Sequence, residues 1–99
     1  MAAPRYAAHR DHNQTPIVKA LKKYGVSVVD LAAVGGGCPD LLTSYKGRTV
    51  LMEIKNPERY GKQRKPQEHQ AAWMNNWQGE TAVIETWEQA LGVYGIEVN

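Results

Sequence analysis

PDLLTSYKGRTVLMEIK, residues 39–55, contains the strongest local signal for a pair of β-strands. Residues 41–45 form a short run that predicts one β-strand, and residues 48–55 predict a second strand. The dipeptide Lys46-Gly47 between them fits a tight hairpin turn. We therefore expect an antiparallel pair of strands that starts just after Asp40.

The predicted pair brings two acidic side chains and a lysine together. Period-2 alternation places Leu51, Glu53 and Lys55 on one face of the second strand, and antiparallel pairing brings Asp40 level with the Glu53 end. Two carboxylates there suit Mg²⁺ or Mn²⁺, which activates water, while an ammonium offsets charge on a phosphate. The pattern predicts a metal-dependent phosphodiester site. The alternatives are an ordinary Pro-Asp turn and a solvent-facing Glu-x-Lys charge pair.

A longer stretch, from Gly35 to Trp77, resembles the PD-(D/E)XK nuclease superfamily, and most closely the small stand-alone VRR-NUC type proteins encoded by phages. The matching segments occur in the same order, and with their flanking elements they cover most of the chain: Val34 to Leu42, Leu51 to Lys55, a basic loop, and Gln70 to Trp73 on a helix. The resemblance implies an α/β fold with a restriction-endonuclease-like core, a mixed β-sheet flanked by helices.

The resemblance also implies roles for individual residues. In that family the residues matching Asp40 and Glu53 are metal ligands, and the residue matching Ile54 lends its backbone carbonyl to the metal. The residue matching Lys55 serves the nucleophilic water, and the glutamine matching Gln70 supports the site from a helix. These residues form the predicted catalytic and metal-binding set.

The first helix departs from the family pattern. Many relatives carry a further acidic residue there, whereas this chain has Asp11-His12-Asn13-Gln14. Either Asp11 or Gln14 is a candidate for that position. The number of bound metal ions is therefore left open by the sequence.

The remaining elements complete an α-β-β-β-α-β-α order. The chain begins with an Ala-rich basic arm over residues 1–10, which we expect to be flexible. The other predicted elements are a helix with Thr15 as its N-cap and Gly25 at its end, a strand from Val26 to Leu31, a helix from Gln67 to Trp77, a buried strand from Thr81 to Ile84, and a helix that the capping box Thr86 to Gln89 begins and Gly95 ends.

The polar connection after the predicted catalytic strand is basic. It holds Arg59, Lys62, Arg64 and Lys65 against the single acidic Glu58, in a chain of net charge +2. A positive segment beside a metal site suits a polyanion, because phosphate contacts supply much of the affinity for DNA. These four residues are the predicted nucleic-acid contacts, and a solvated loop is the alternative.

Length and composition limit the class of protein. The 99 residues fit a single domain with a modest core, which a homodimer would help to stabilise. The single Cys38 excludes an intramolecular disulfide, and neither a membrane span nor a signal peptide is evident, so we expect a cytoplasmic location, in the bacterial host if a phage encodes the chain.

Other potentially reactive residues fit structural roles better. Cys38 has no neighbouring histidine to activate it, and the three histidines, His9, His12 and His69, lack a zinc-site spacing. Trp73, Trp77 and Trp87 are expected to fill the core or a dimer contact rather than to stack on bases.

The sequence thus predicts a Mg²⁺- or Mn²⁺-dependent DNA endonuclease, structure-directed and of the kind that resolves Holliday junctions, with branched DNA as its partner. A nicking or end-directed nuclease of the same fold is the competing enzyme. A DNA-binding module that retains the fold without catalysis is the alternative from another class.

Overall fold

The computed structural model describes residues 14–55 and 68–98. The elements follow the predicted order and form an α/β fold. They are α1 (Gln14–Lys23), β1 (Ser27–Asp30), β2 (Leu41–Tyr45), β3 (Arg48–Ile54), α2 (Glu68–Asn76), β4 (Glu80–Ile84) and α3 (Trp87–Val93). The basic connection, the N-terminal arm, His9, Asp11 and His12 lie outside the described residues.

The four strands form one mixed sheet in the order β1-β2-β3-β4. β1, β2 and β3 are antiparallel neighbours, and β4 runs parallel to β3. The hairpin turn between β2 and β3 has positive φ at both Lys46 (51°) and Gly47 (83°), as the twist of a two-residue hairpin loop requires. Its register pairs Leu41 with Met52, so Asp40 comes level with Glu53 as predicted.

The hydrophobic core lies on one face of this sheet, under α1 and α3. β3 contributes Val50, Met52 and Ile54 to it, the face opposite to Glu53 and Lys55, which confirms the predicted alternation. The other buried members of the core come from the remaining strands and from the two helices: Ile17, Leu21, Val26, Leu41, Ile84, Ala90 and Leu91.

Both helices on the core face end in the same way. Gly25 (φ 89°) and Gly95 (φ 70°) adopt the left-handed conformation that a non-glycine side chain disfavours. The next N–H in each case reaches back into the helix, from Val26 to Leu21 at 2.9 Å and from Ile96 to Leu91 at 3.1 Å. These are Schellman motifs, and they confirm the two predicted helix ends.

The predicted capping box at the start of α3 is present in a modified form. The Thr86 side chain accepts a hydrogen bond from the Gln89 N–H at 3.1 Å. The Gln89 Oε1 atom accepts from the N–H of Glu85, one residue before the cap, at 2.7 Å. The Gln89 N–H, which the first turn of the helix leaves unpaired, and the Glu85 N–H before the cap are both satisfied in this way.

Some predicted boundaries and burials are wrong. Thr15 lies inside α1 and is not its N-cap, because Gln14 is already helical. β1 is one residue shorter at each end than predicted, since the N–H of Val26 caps α1 instead of pairing with β2. β4 was predicted to be buried, but only Ile84 is fully buried, because β4 is an edge strand of the described sheet.

Within residues 14–55 and 68–98, the longest helix has 10 residues, and none is long and apolar enough to cross a bilayer.

A buried hydroxyl pair joins the sheet to the end of α3. The Thr43 Oγ1 atom donates to the Val50 carbonyl at 2.7 Å, so the Tyr94 hydroxyl, also at 2.7 Å, must donate to Thr43. We expect Thr43→Val to lower the free energy of unfolding by about 1–3 kcal/mol, since two buried polar groups lose their partner. Urea unfolding measures it.

The matched control for this prediction is Thr49→Val on β3. Its hydroxyl bonds Ser44 at 3.1 Å at an exposed site, where water replaces the lost partner. We expect its free energy of unfolding to stay within about 0.5 kcal/mol of the wild-type value. Equal losses for the two variants would contradict the role assigned to Thr43.

Candidate active site

Asp40 is held by the backbone of the neighbouring strand. It immediately precedes β2, and its Oδ2 atom accepts a hydrogen bond from the Ile54 N–H at 2.8 Å. A carboxylate that accepts a backbone N–H has one oxygen fixed in position. The hairpin register therefore sets the carboxylate of Asp40 beside the Glu53–Lys55 segment.

Glu53 is a buried carboxylate with unequal oxygens. Its residue exposure is only 3%. The Oε2 atom accepts from the Gln70 Nε2 atom at 2.7 Å and lies 3.4 Å from the Lys55 Nζ atom. The Oε1 atom is buried and has no hydrogen-bond partner within the part of the chain that the structure describes. An ionised carboxylate oxygen in that state is costly unless a cation or a donor reaches it.

Lys55 is equally buried, at 3% exposure, and follows the last residue of β3. Its backbone N–H bonds the Ile84 carbonyl at 2.8 Å, which extends the β3–β4 pairing by one residue. Its Nζ atom donates to the Gln70 Oε1 atom at 2.9 Å. The ammonium is thereby fixed beside the Glu53 carboxylate instead of pointing into solvent.

Gln70 connects the two charged side chains from α2. Its amide nitrogen donates to Glu53 and its amide oxygen accepts from Lys55. Only a side chain with both a donor and an acceptor makes this bridge, because a carboxylate lacks the donor and a lysine lacks the acceptor. The supporting role predicted for a helical Gln70 thus corresponds to two hydrogen bonds, one to Glu53 and one to Lys55.

The environment raises the pKa of Glu53 from its ordinary 4.5 to about 7. Burial is the largest cause, followed by the nearby negative charge of Asp40. Lys55 and the Gln70 hydrogen bond act in the opposite direction and lower the pKa. The pair of carboxylates is therefore unfavourable with both members charged and no added cation.

The loop before Asp40 contains three consecutive glycines that adopt left-handed backbone conformations. Gly35, Gly36 and Gly37 all have positive φ, at 74°, 65° and 88°. A Cβ atom on Gly35 or Gly36 would meet nothing within 4 Å, so these two glycines meet a conformational requirement and not one of close packing.

Burial and the charges of Glu53 and Asp40 raise the pKa of Cys38, which disfavours the nucleophilic thiolate.

The predicted metal ligands fit a hard divalent cation. Asp40 and Glu53 offer carboxylate oxygens, and the Oε1 atom of Glu53 is a buried acceptor to which no described residue donates. Ile54, whose carbonyl is the third predicted ligand, lies between Glu53 and Lys55. No cluster of three or more His, Cys, Asp or Glu side chains occurs among the described residues. Mg²⁺ commonly takes only one or two carboxylates, with water and phosphate completing its shell.

The first-helix candidate Gln14 has a different partner. It is buried, and its Nε2 atom donates to the Asp30 Oδ2 atom at 3.2 Å. Asp30 pairs with the core residue Leu41, so it lies on the sheet face that α1 covers, opposite to Glu53. Gln14 therefore contacts the wrong face for a ligand shared with Glu53, and Asp11 lies outside the described residues.

Two further groups of sequence predictions have different outcomes. Arg59, Lys62, Arg64 and Lys65 lie outside the described residues, as does the side chain of His69. The expectation of a core role fails for Trp77, which is 46% exposed and stacks on Trp73. The four-residue spacing of these two tryptophans was the available signal for the pair, since side chains at i and i+4 meet on a helix.

We expect the metal-free protein to lose stability as the pH rises. The raised pKa means that folded Glu53 keeps its proton where the unfolded chain has released it, so this stabilisation is complete below about pH 4.5 and declines toward pH 7. One pKa unit corresponds to about 1.4 kcal/mol, so the expected loss is a few kcal/mol. Urea unfolding with a chelator, over this range, measures it.

Glu53→Gln is the matched variant, because its amide has the same shape and does not titrate. Its free energy of unfolding should fall less over the same pH range. Parallel pH profiles for the variant and the wild type would show that Glu53 does not titrate in this way.

The chain has no match among protein-family models, characterised proteins or solved structures. The family resemblance read from the sequence therefore stays a prediction. Its physical support is the site itself, in which Asp40, Glu53, Lys55 and Gln70 meet on one face of the sheet.

Proposed function

We propose that this protein is a Mg²⁺- or Mn²⁺-dependent deoxyribonuclease that hydrolyses phosphodiester bonds, with the restriction-endonuclease-like core of the PD-(D/E)XK superfamily, VRR-NUC type. The observation that carries the proposal is the buried Oε1 atom of Glu53, which has no hydrogen-bond partner among residues 14–55 and 68–98, whereas Lys55 and Gln70 contact the other oxygen and Asp40 adds a nearby negative charge. In a purely structural ion pair, both buried carboxylate oxygens would be expected to have hydrogen-bond partners.

The divalent cation would be held by Asp40, Glu53 and the Ile54 carbonyl. When bound, it would polarise the phosphate and lower the pKa of a water molecule. Its charge would also offset the repulsion between Asp40 and Glu53 that raises the pKa of Glu53. Cation binding should therefore favour the ionised form of Glu53.

The protein residues have separate tasks in the hydrolysis. Asp40 and Glu53 would hold the cation at the cleavage site, and the Lys55 ammonium would orient the attacking water and offset negative charge in the transition state. Gln70 holds Glu53 and Lys55 at their separation and is a positioning residue. A water oxygen forms a bond to phosphorus, the bond to the leaving oxygen breaks, and that oxygen takes up a proton.

DNA is proposed as the substrate because of the basic connection after the catalytic strand. Arg59, Lys62, Arg64 and Lys65 follow Lys55 within ten residues and would contact backbone phosphates. The further proposal is a structure-directed, junction-resolving endonuclease that acts in the cytoplasm, that of the bacterial host if a phage encodes the chain. A symmetric homodimer would supply the two sites that cutting both strands of branched DNA requires.

Two other functions are tested by the same assay. A nicking or end-directed nuclease of this fold would use the same residues on plasmid or linear DNA. A non-catalytic DNA-binding module would bind without cleaving. Metal-dependent cleavage of a plasmid and a four-way junction, measured side by side, distinguishes these three functions.

We expect Asp40→Asn and Glu53→Gln each to abolish cleavage, because each removes an anionic oxygen while preserving side-chain shape. DNA binding should persist, and circular dichroism should report an intact fold. Lys55→Ala should reduce turnover more than metal affinity, and an effect on substrate affinity alone would make Lys55 a phosphate contact. The measurement is metal-dependent turnover on a labelled junction.

Asp30→Asn is the matched control for these substitutions. Like Asp40, Asp30 is a carboxylate at the end of a strand that accepts a backbone N–H, in this case that of Ala32 at 2.8 Å, but it lies on the opposite face of the sheet. Its loss should leave turnover close to the wild-type value. Near-normal turnover by a folded Asp40→Asn or Glu53→Gln variant would refute the site assignment.

We expect replacement of Arg59, Lys62, Arg64 and Lys65 by alanine to weaken binding to all DNA sequences alike. Each lost phosphate contact should lower the slope of log affinity against log salt by about 0.9 on duplex DNA. Binding isotherms over a salt series measure the slope, and saturating DNA should partly restore turnover.

The comparison variant for the salt series carries alanine at Lys19, Lys22 and Lys23. These residues lie on α1, whose core contacts place it on the face of the sheet opposite to Glu53. The slope should stay at the wild-type value there. A slope that changes only in the α1 variant would indicate that DNA binds along that helix instead.

A further inference from the structure

Trp73 on α2 and Trp77, which follows the last residue of α2, form an open aromatic stack. The ring centroids of Trp73 and Trp77 lie 5.1 Å apart with an interplanar angle of 19°, which is an offset stack. Trp73 is half-buried, and Trp77 is 46% exposed. The outer ring therefore presents aromatic surface to solvent, where another planar ring can extend the stack.

The position of the Trp77 ring is restricted by the turn that follows it. A Cβ atom on Gly79 would lie 2.8 Å from the Trp77 Nε1 atom, closer than real Cβ contacts allow. Glycine is therefore what lets the indole lie against this turn. With Trp73 on its face and the Gly79 backbone at its edge, the ring is preorganised, which lowers the entropic cost of stacking on it.

The stack lies on the same side of α2 as the positioning residue Gln70. Residues 70, 73 and 77 recur at i, i+3 and i+7, and Gln70 contacts Glu53 and Lys55. Seven residues of helix rise about 10 Å, or about three nucleotides at 3.4 Å each. A nucleic-acid strand with its phosphate at Glu53 would bring a base to Trp77 after a few nucleotides.

The residues that flank Trp77 in sequence carry neutral side chains that can bond base edges. Asn75, Asn76 and Gln78 are exposed amides, and each amide offers both donors and an acceptor. The nearby carboxylate of Glu80 is engaged by Arg48 in a 2.7 Å ion pair, so it repels phosphates less. An amide-flanked ring suits a nucleobase better than it suits the broad apolar face of a protein partner.

We propose that Trp77, supported by Trp73, is a stacking platform for an unpaired base of the substrate strand. This inference rests on the proposed function and narrows it, since a base inside a continuous duplex cannot add to the stack. The substrate would then be DNA with unpaired nucleotides a few positions from the cleaved bond. Recognition of single-stranded character would come from α2 and not from the basic connection.

Binding is measured apart from cleavage in the Asp40→Asn background. The probes are a blunt DNA duplex and the same duplex with a single-stranded tail, and the readouts are affinity and quenching of tryptophan fluorescence. We expect Trp77→Leu to lower the affinity for the tailed duplex relative to the blunt one by about 5-fold to 100-fold. Leucine keeps apolar bulk and removes only the ring, and Trp77→Phe should retain part of the preference.

The control is Trp87→Phe, on α3 against the hydrophobic core. Fluorescence quenching by the tailed duplex should be lost when Trp77 is replaced and should persist when Trp87 is replaced. Circular dichroism checks that each variant is folded. Because the Trp77 ring is exposed, its replacement should leave the fold intact.

Two outcomes would overturn the inference. One is an unchanged preference for the tailed duplex in Trp77→Leu. The other is light scattering in which the wild type is a dimer and Trp77→Ala a monomer with unchanged preference, which would assign the stack to a contact between chains. Wild-type protein that binds tailed DNA with quenching but never cleaves it would refute the nuclease proposal and leave the platform standing.

Discussion

Burial of two opposite charges at the end of β3 is the constraint on which the site depends. Glu53 and Lys55 are each only 3% exposed, and removing ionised groups from water costs far more than a surface ion pair returns. The cost is reduced because Gln70 donates to one charge and accepts from the other. α2 must therefore dock with its glutamine between them. The two hydrogen bonds of Gln70 therefore fix the position of the helix and the geometry of the site together.

The hairpin register carries the second carboxylate into the same place. A slip of one residue between β2 and β3 would turn Val50, Met52 and Ile54 away from the core and move Asp40 out of line with Glu53. The hydrophobic requirement on one face of β3 thus fixes the chemistry on the other.

The parallel pairing of β4 with β3 explains why aromatic surface lies near the site. The connection between parallel strands must cross the sheet, and α2 makes that crossing on the face opposite to α1 and α3. It starts near Lys55, with Gln70 in its first turn, and ends near the start of β4, with Trp77 just beyond. A single helix therefore connects the charged site to the tryptophan stack.

Much of the fold was determined by local sequence, because its signals act between near neighbours. The Lys46-Gly47 turn, the alternation of β3, the Thr86 cap and the glycines that end α1 and α3 were all predicted from residues within one turn or strand. The placement of Asp40, Glu53, Lys55 and Gln70 together followed from the same pattern and from the family resemblance. Tertiary structure alone decided that Gln14 bonds Asp30, that β4 is mostly uncovered and that Trp77 faces solvent. An apolar stripe on a helix specifies which residues share a face, but which of them are covered depends on where distant strands and helices end.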